Sequence, residues 1–152
     1  MIQRIQSLYM FISVVLGIVC LCLPLGAFYN MQGTHEADLY NLWIRICDTG
    51  LHIFTPWALF ALMLSITSLT FIDIFLFNRR ALQMRILVFC MILLVGYYMW
   101  LAFIGFIEYK GELSFTPSIT AGLPFVCIVL DYLAFRGILK DEMLVRSLDR
   151  LR

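Results

Sequence analysis

The stretch Phe77–Arg85, FNRRALQMR, is a basic cluster that separates two long apolar runs. It places Arg79, Arg80 and Arg85 in one short polar link. Apolar runs of roughly twenty residues or more on both sides are typical of helices that cross a bilayer. Arginine-rich links between such helices stay in the cytoplasm. The stretch therefore predicts a hairpin of two membrane-spanning helices with a cytoplasmic tip.

The composition restricts the class of protein. Of 152 residues, 62% are hydrophobic and 14% are charged, and the mean hydropathy is +0.93. A soluble domain is roughly 25% charged, so a water-soluble fold is excluded. The net charge of +1 gives no reason to expect a nucleic acid or an acidic substrate as a partner.

Four apolar runs are long enough to cross a bilayer core of roughly 30 Å. They are expected at about 8–28, 53–77, 86–107 and 118–135, within a transmembrane domain that covers residues 1–136. A cleaved signal peptide is disfavoured for the first run, because the run exceeds a signal core of roughly 7 to 15 residues. The fourth run holds Gly122 and Pro124, so we expect it to be the least regular helix. The predicted fold class is an all-α membrane protein, a four-transmembrane-helix bundle.

Lysine and arginine are distributed unequally between the two sides of this topology. Nine would be cytoplasmic: Arg4, Arg79, Arg80, Arg85, Arg136, Lys140, Arg146, Arg150 and Arg152. Two, Arg45 and Lys110, would be outside. Because the loops are short, the positive-inside rule applies, and both termini are expected in the cytoplasm.

The outer loops are expected at 29–52 and 108–117. In the first loop, the apolar residues between Leu39 and Ile46 fit the spacing of an amphipathic surface helix. They also fit a strand followed by a turn at Asp48–Gly50, as in a β-hairpin. Periodicity does not decide between the two, so both alternatives stay open.

Small residues recur at three- and four-residue steps in the second apolar run. They are Ala58, Ala61, Ser65 and Ser68. Such a stripe lets another helix approach closely, so it is expected to line a helix–helix contact.

The tail, residues 137–152, is expected to form an amphipathic cytoplasmic helix. Asp141 and Glu142 near its start and arginines near its end complement the helix dipole. Its apolar stripe would lie on the inner leaflet or dock on a cytoplasmic protein. The candidate docking residues are Leu144, Arg146, Leu148, Arg150, Leu151 and Arg152.

Two acidic residues, Asp73 and Asp131, lie inside apolar runs. An ionised group at mid-bilayer costs about 2.5 to 3.5 kcal/mol on insertion scales, which makes each a candidate functional residue. One interpretation is an ion pair with Arg79, Arg85 or Arg136 folding back from the cytoplasmic edge. The other is that the two acids share a proton or handle a cation. Whether they are ion-paired or protonated stays open.

Signatures of an enzyme or a metal site are weak in this sequence. Cys47 is the one cysteine expected on the outer side, so no disulfide framework is predicted. His35 and His52 do not have a recognised metal-ligand spacing. There is no glycine-rich phosphate loop and no nucleophile elbow. We therefore predict no catalytic residues, no metal and no cofactor.

The two ends and the middle of the chain carry a set of polar and basic stretches: Gln3–Gln6, Asn78–Arg79, Leu82–Gln83 with Arg85, Lys140–Glu142, Leu144–Ser147 and Asp149–Arg152. In these stretches the chain resembles a family of small inner-membrane proteins of Bacteroidota, known as domain of unknown function 4293, and the likeness covers the whole length. The resemblance implies a four-helix protein in the inner membrane of a Gram-negative cell, and it brings no site residues.

Two functions of different classes fit these features. The first is a non-catalytic accessory or scaffold subunit of an envelope complex, with a membrane-protein partner or a second copy of the chain. The alternative is a small transporter or channel component that uses Asp73 and Asp131 for protons or cations. In both cases the lipid bilayer is the immediate surroundings of the protein.

Overall fold

A computed structural model describes residues 3–76, 79–108 and 113–149. The helices are α1 (Gln3–Cys22), α2 (Trp57–Phe75), α3 (Arg80–Phe103) and α4 (Leu123–Asp149). A π-helical turn, Ile104–Glu108, follows α3, and a short 3-10 helix, Ile119–Gly122, precedes α4. The strands are β1 (Gly26–Asn30), β2 (His35–Leu39), β3 (Ile44–Ile46), β4 (His52–Ile53) and β5 (Leu113–Pro117).

All four predicted helical runs are present, and by length and composition each can cross a membrane. Their ends differ from the prediction, most clearly in the first run. That run was expected to continue to residue 28, but α1 ends at Cys22 and residues 26–30 form β1. Pro24 explains the difference, because its ring removes a backbone donor and stops the helix.

The fourth helix is longer and more regular than expected. It continues without a break to Asp149, so the predicted tail is an extension of the fourth span rather than a separate helix. Pro124 lies in its first turn, where a missing N–H leaves no hydrogen bond unmade. Of the expected docking residues, Leu144 is exposed. Arg146 and Leu148 lie on the helix, but their side chains are outside the described part of the chain, as are Arg150, Leu151 and Arg152 altogether.

A small antiparallel sheet joins the helices at one end of the bundle, so the chain is mostly helical, as predicted, but it is not all-α. Its order is β4-β3-β2-β1-β5, which pairs β1 on both sides. The first loop is thus β structure rather than a surface helix. Gly33 and Gly50, at φ 78° and 65°, lie in the turns after β1 and β3.

Phe115 fastens the sheet to the bundle. In the register between β1 and β5 it lies opposite Phe28, and their ring centroids are 5.3 Å apart. A Cβ atom at Gly26 would lie 2.5 Å from the Phe115 ring, and one at Gly105 would lie 2.6 Å from it. The Phe115 ring therefore fits between β1 and the π-helical turn after α3, because positions 26 and 105 are both glycine.

A buried polar network ties the connection between β2 and β3 to two helices. The Tyr97 hydroxyl donates to Asn41 Oδ1 at 2.8 Å, and Asn41 Nδ2 donates to the Cys20 carbonyl at 2.7 Å. Tyr97 and Asn41 are fully buried. Satisfied networks of this kind fix one arrangement of the elements they join.

Helices α1 and α4 pack antiparallel along most of their length. Near one end, Gln6 Nε2 donates to Asp141 Oδ2 at 2.8 Å, and further along, the Cys127 thiol donates to the Ser13 carbonyl at 3.6 Å. A Cβ atom at Gly137 would lie 2.9 Å from the Gln6 side chain. The contact is close because small residues line it.

The stripe of small residues on α2 faces outward rather than into the bundle. Ser65 and Ser68 are exposed, and their hydroxyls donate to carbonyls one turn earlier in the same helix. The face of α2 that packs inside carries Leu59, Met63, Ile66, Thr67, Thr70 and Asp73.

Replacing Gly17 by alanine should destabilise the bundle. The new Cβ would lie 2.6 Å from Thr67 Oγ1, which forces α1 and α2 apart. Overpacking of this kind costs about 1 to 3 kcal/mol in the free energy of unfolding. The matched control is Gly96→Ala, because nothing lies within 4 Å of its Cβ position and alanine favours a helix. Thermal unfolding in detergent should lower the Tm of the Gly17 variant alone; equal Tm values would contradict the close contact.

Candidate functional site

Asp73 and Asp131 lie inside the bundle, and both side chains are fully buried. Asp73 stands near the end of α2 and Asp131 in the first half of α4. The two carboxyl groups interact electrostatically across the bundle. The sequence predicted the pair, and the structure brings its two members together.

Neither carboxyl group has a hydrogen-bond partner within the described part of the chain. The Ser13 side chain of α1 lies beside Asp131 and interacts with it. No hydrogen bond of ordinary length and angle reaches the carboxyl oxygens, however. A buried polar atom without a partner is rare in proteins, and it points to a functional or strained position.

Other polar side chains surround the two acids. Gln83 Nε2 of α3 donates to the Asp73 main-chain carbonyl at 3.2 Å and lies 3.6 Å from Met10 Sδ of α1. The Thr70 hydroxyl lies 3.7 Å from Cys90 Sγ, and both are buried. Together with Asp131 of α4, these residues give the bundle a polar centre to which all four helices contribute.

The expected ion pairs with arginine are not found among the described residues. Arg79, Arg85 and Arg136 are exposed, and no salt bridge joins any of them to Asp73 or Asp131. Arg79 and Arg85 instead line a surface cavity together with Glu142. The acids and the arginines therefore occupy separate places at this end of the bundle.

The surroundings of the pair decide its chemistry. An isolated carboxylate in an apolar interior is very costly, so its charge has to be neutralised by a partner or by a proton. Two buried acids within electrostatic range of each other carry this requirement twice, and protons or a small cation can meet it. The arrangement is suited to holding a positive charge between α2 and α4.

Sequence reasoning missed the residues that complete this centre. Ser13, Thr70 and Gln83 are ordinary polar residues in or beside apolar runs, and each is buried. A signal was available, since the amide of a glutamine inside an apolar helix bundle needs a partner, commonly on another helix. That signal does not say which helix supplies the partner.

The comparisons with known proteins place the chain in a family without assigning it an activity. The family model described as "Domain of unknown function (DUF4293)" matches residues 2–151. No functionally curated protein matches the chain. Because the matched segment leaves out one residue at each end of the 152, the chain belongs to the DUF4293 family.

Proposed function

We propose that the protein is a multi-pass protein of a bacterial inner membrane, of the Bacteroidota type, that binds protons or a small cation between Asp73 and Asp131. In this proposal the sheet lies outside the cytoplasm and both termini lie inside. Transfer of the bound charge across the membrane makes the protein a small transporter or a channel component.

The observation that carries the proposal is the burial of two carboxyl groups that accept no hydrogen bond of ordinary length and angle from the described residues. Structural acids in a core are normally paired, because an unpaired buried charge is strongly destabilising. Here Arg79, Arg85 and Arg136, at the same end of the bundle, are exposed, and no salt bridge among the described residues joins an arginine to either acid. A site that keeps two acids unpaired stays available to a mobile positive charge.

The surrounding polar residues support this function. Ser13, Thr70 and Gln83 bring hydroxyl and amide groups from three helices to the same region as the two acids. Oxygen atoms of hydroxyl and carboxyl groups are the ligands that hard cations prefer. The neighbouring Cys90, by contrast, behaves as a small apolar residue.

The distribution of charge supports the proposed orientation. The sheet and its turns carry Arg45, whereas the opposite end of the bundle carries Arg79, Arg80, Arg85, Arg136 and Lys140. Positively charged ends of short-looped helices stay in the cytoplasm. The sheet then faces the outer side.

The orientation can be tested with two single cysteines in a background without Cys22 and Cys47. Ser114→Cys lies on the sheet and Ala81→Cys at the start of α3, and both positions are exposed. A membrane-impermeant maleimide added to spheroplasts should label the Ser114 variant and should label the Ala81 variant only after lysis. The reverse pattern would show that the sheet is cytoplasmic.

Charge transfer can be measured in proteoliposomes with an imposed membrane potential. We expect proton or sodium flux from the natural chain to exceed that of the double variant Asp73→Asn/Asp131→Asn by about tenfold or more, since the amides hold no exchangeable proton. Asp141→Asn is the matched control, because it changes an acid on α4 outside the pair. A pH-sensitive dye and a sodium-sensitive dye inside the vesicles distinguish the two ions.

The free energy of unfolding of the same double variant provides an independent test of whether the two acids are structural. Removing one partner of a buried ion pair costs about 3 to 5 kcal/mol, whereas neutralising unpaired acids should leave the free energy of unfolding within about 1 kcal/mol. Large destabilisation without loss of flux would mean that the acids are structural. Absence of flux above that of empty vesicles would remove the proposed function.

An accessory subunit is the second candidate, and the exposed apolar end of α4 favours it. Met143 is 57% exposed and Val145 is 44% exposed, beyond the region in which α4 packs on α1. The outward stripe at Ser65 and Ser68 on α2 offers a second place for a partner helix. These surfaces suit a membrane-protein partner or another copy of the chain.

Gentle solubilisation of native membranes tests this candidate. The full-length chain and a chain truncated after Gly137 both carry a tag at the N-terminus. The full-length chain should retain a stoichiometric partner, and the truncated chain should lose it. The control is Met143→Ser/Val145→Ser, which removes apolar surface and keeps the helix. Equal recovery of partners by all three chains would argue against docking on α4.

A further inference from the structure

Three side chains of the sheet form a hydrogen-bonded chain that none of the functions above uses. His35 and Asp38 belong to β2, and Cys47 directly follows β3. Cys47 Sγ lies 3.3 Å from His35 Nδ1, and His35 Nε2 lies 3.0 Å from Asp38 Oδ1. The imidazole ring thus stands between a thiol and a carboxylate.

The carboxylate determines which ring nitrogen carries the proton. An ionised carboxylate only accepts hydrogen bonds, so the nitrogen facing Asp38, Nε2, has to be the donor. In the neutral ring the other nitrogen, Nδ1, then has a free lone pair, and it faces Cys47. His35 is therefore oriented to accept the thiol proton, as a general base oriented by a third group does.

The backbone holds the three groups in place. The Cys47 N–H donates to the Glu36 carbonyl at 2.8 Å, which continues the pairing of β2 with β3. The Tyr29 ring of β1 packs on the His35 ring with centroids 5.4 Å apart. Cys47 and His35 are nevertheless exposed, so a reactant can reach the sulfur.

We propose that Cys47, His35 and Asp38 form a thiol relay that makes Cys47 a nucleophile toward disulfides. His35 Nδ1 takes the proton of Cys47 while the sulfur attacks one sulfur of the disulfide. A new S–S bond forms, the old one breaks, and the departing thiolate leaves with the electron pair of the broken bond. Asp38 stabilises the resulting imidazolium, and no other oxidant or reductant is needed.

Disulfides fit this relay better than acyl compounds. Acyl transfer needs backbone donors for the developing oxyanion, and the amide of the nucleophile commonly supplies one of them. The Cys47 amide is already bound to Glu36 in the sheet. Thiol–disulfide exchange develops no oxyanion, so it has no such requirement.

A metal ion fits the observed contacts less well, although the three residues offer sulfur, nitrogen and oxygen ligands within 4.8 Å of one another. Cys47 and Asp38 contact opposite nitrogens of one ring, and a metal binds only one of them. The observed geometry is thus that of proton transfer.

The mixed disulfide has to be released by a second thiol compound from outside the chain. All five cysteines are free thiols, and Cys20, Cys90 and Cys127 are buried in the bundle. Cys22 is exposed, but no disulfide or hydrogen bond joins it to Cys47 in the described part of the chain. The relay therefore exchanges disulfides between two external partners. This inference goes beyond the proposed charge transfer and does not depend on it.

The test uses the purified full-length chain in detergent with Cys22→Ser, so that Cys47 is the one exposed thiol of the five. The probe is the aromatic disulfide dithiobis-nitrobenzoate, with a metal chelator present and absent. At neutral pH we expect His35→Gln and Asp38→Asn each to lower the second-order rate about tenfold or more. In strong base, where hydroxide itself deprotonates thiols, the three rates should converge.

Asp48→Asn is the matched control, since it removes the same charge from an exposed acid next to Cys47. Loss of a nearby negative charge favours a thiolate, so the electrostatic field alone predicts faster reaction for both Asn variants. Slower reaction of the Asp38 variant alone supports the relay. Circular dichroism confirms folding, and the Asp38 variant suffices if the His35 variant does not fold.

Three results would overturn the relay. The first is a rate that neither His35→Gln nor Asp38→Asn changes by more than about twofold. The second is an equal change in the Asp38 and Asp48 variants. The third is a thiol that reacts only after the chelator is added, which would make the cluster a metal site.

Discussion

A polar group buried inside a protein cannot take a hydrogen bond from bulk water, so its partner has to come from the protein. The four helices satisfy this constraint for their own backbone. Where helices end, the chain becomes a sheet whose central strand is paired on both sides. Two buried side chains follow the same rule, since the Tyr97 hydroxyl donates a hydrogen bond to Asn41 Oδ1. Asp73 and Asp131 depart from it, and the proposed function rests on that departure.

The helices could be predicted from the sequence and the sheet could not. Apolar runs of the right length are a local signal, and Pro24 marks the end of one of them to within a few residues. The sheet depends on β5 pairing with β1, which comes from the other half of the chain. Neither strand has a local sequence pattern that identifies the other as its partner. Their match rests on glycines at positions 26 and 105 that make room for Phe115.

The two acids of the candidate site could be predicted from the sequence, but the residues around them could not. An aspartate within an apolar run is conspicuous, whereas the rotation of its helix decides whether it meets another acid or an arginine. Arg79, Arg85 and Arg136 turn outward, toward a surface where their charge remains hydrated. The contact of Cys47 with His35 has a similar origin. It depends on the register between β2 and β3, which spacing along the chain does not reveal.

The position of β1 in the sheet affects how the protein is made. During synthesis α1 and the strands β1 to β4 emerge first, and they form a meander with one unpaired edge on β1. The strand that covers this edge, β5, becomes available only after α2 and α3 have been made. Until then the open edge can pair with any extended chain nearby, including another nascent copy. The time taken to make α2 and α3 therefore sets the interval during which the new chain is prone to aggregate through this edge.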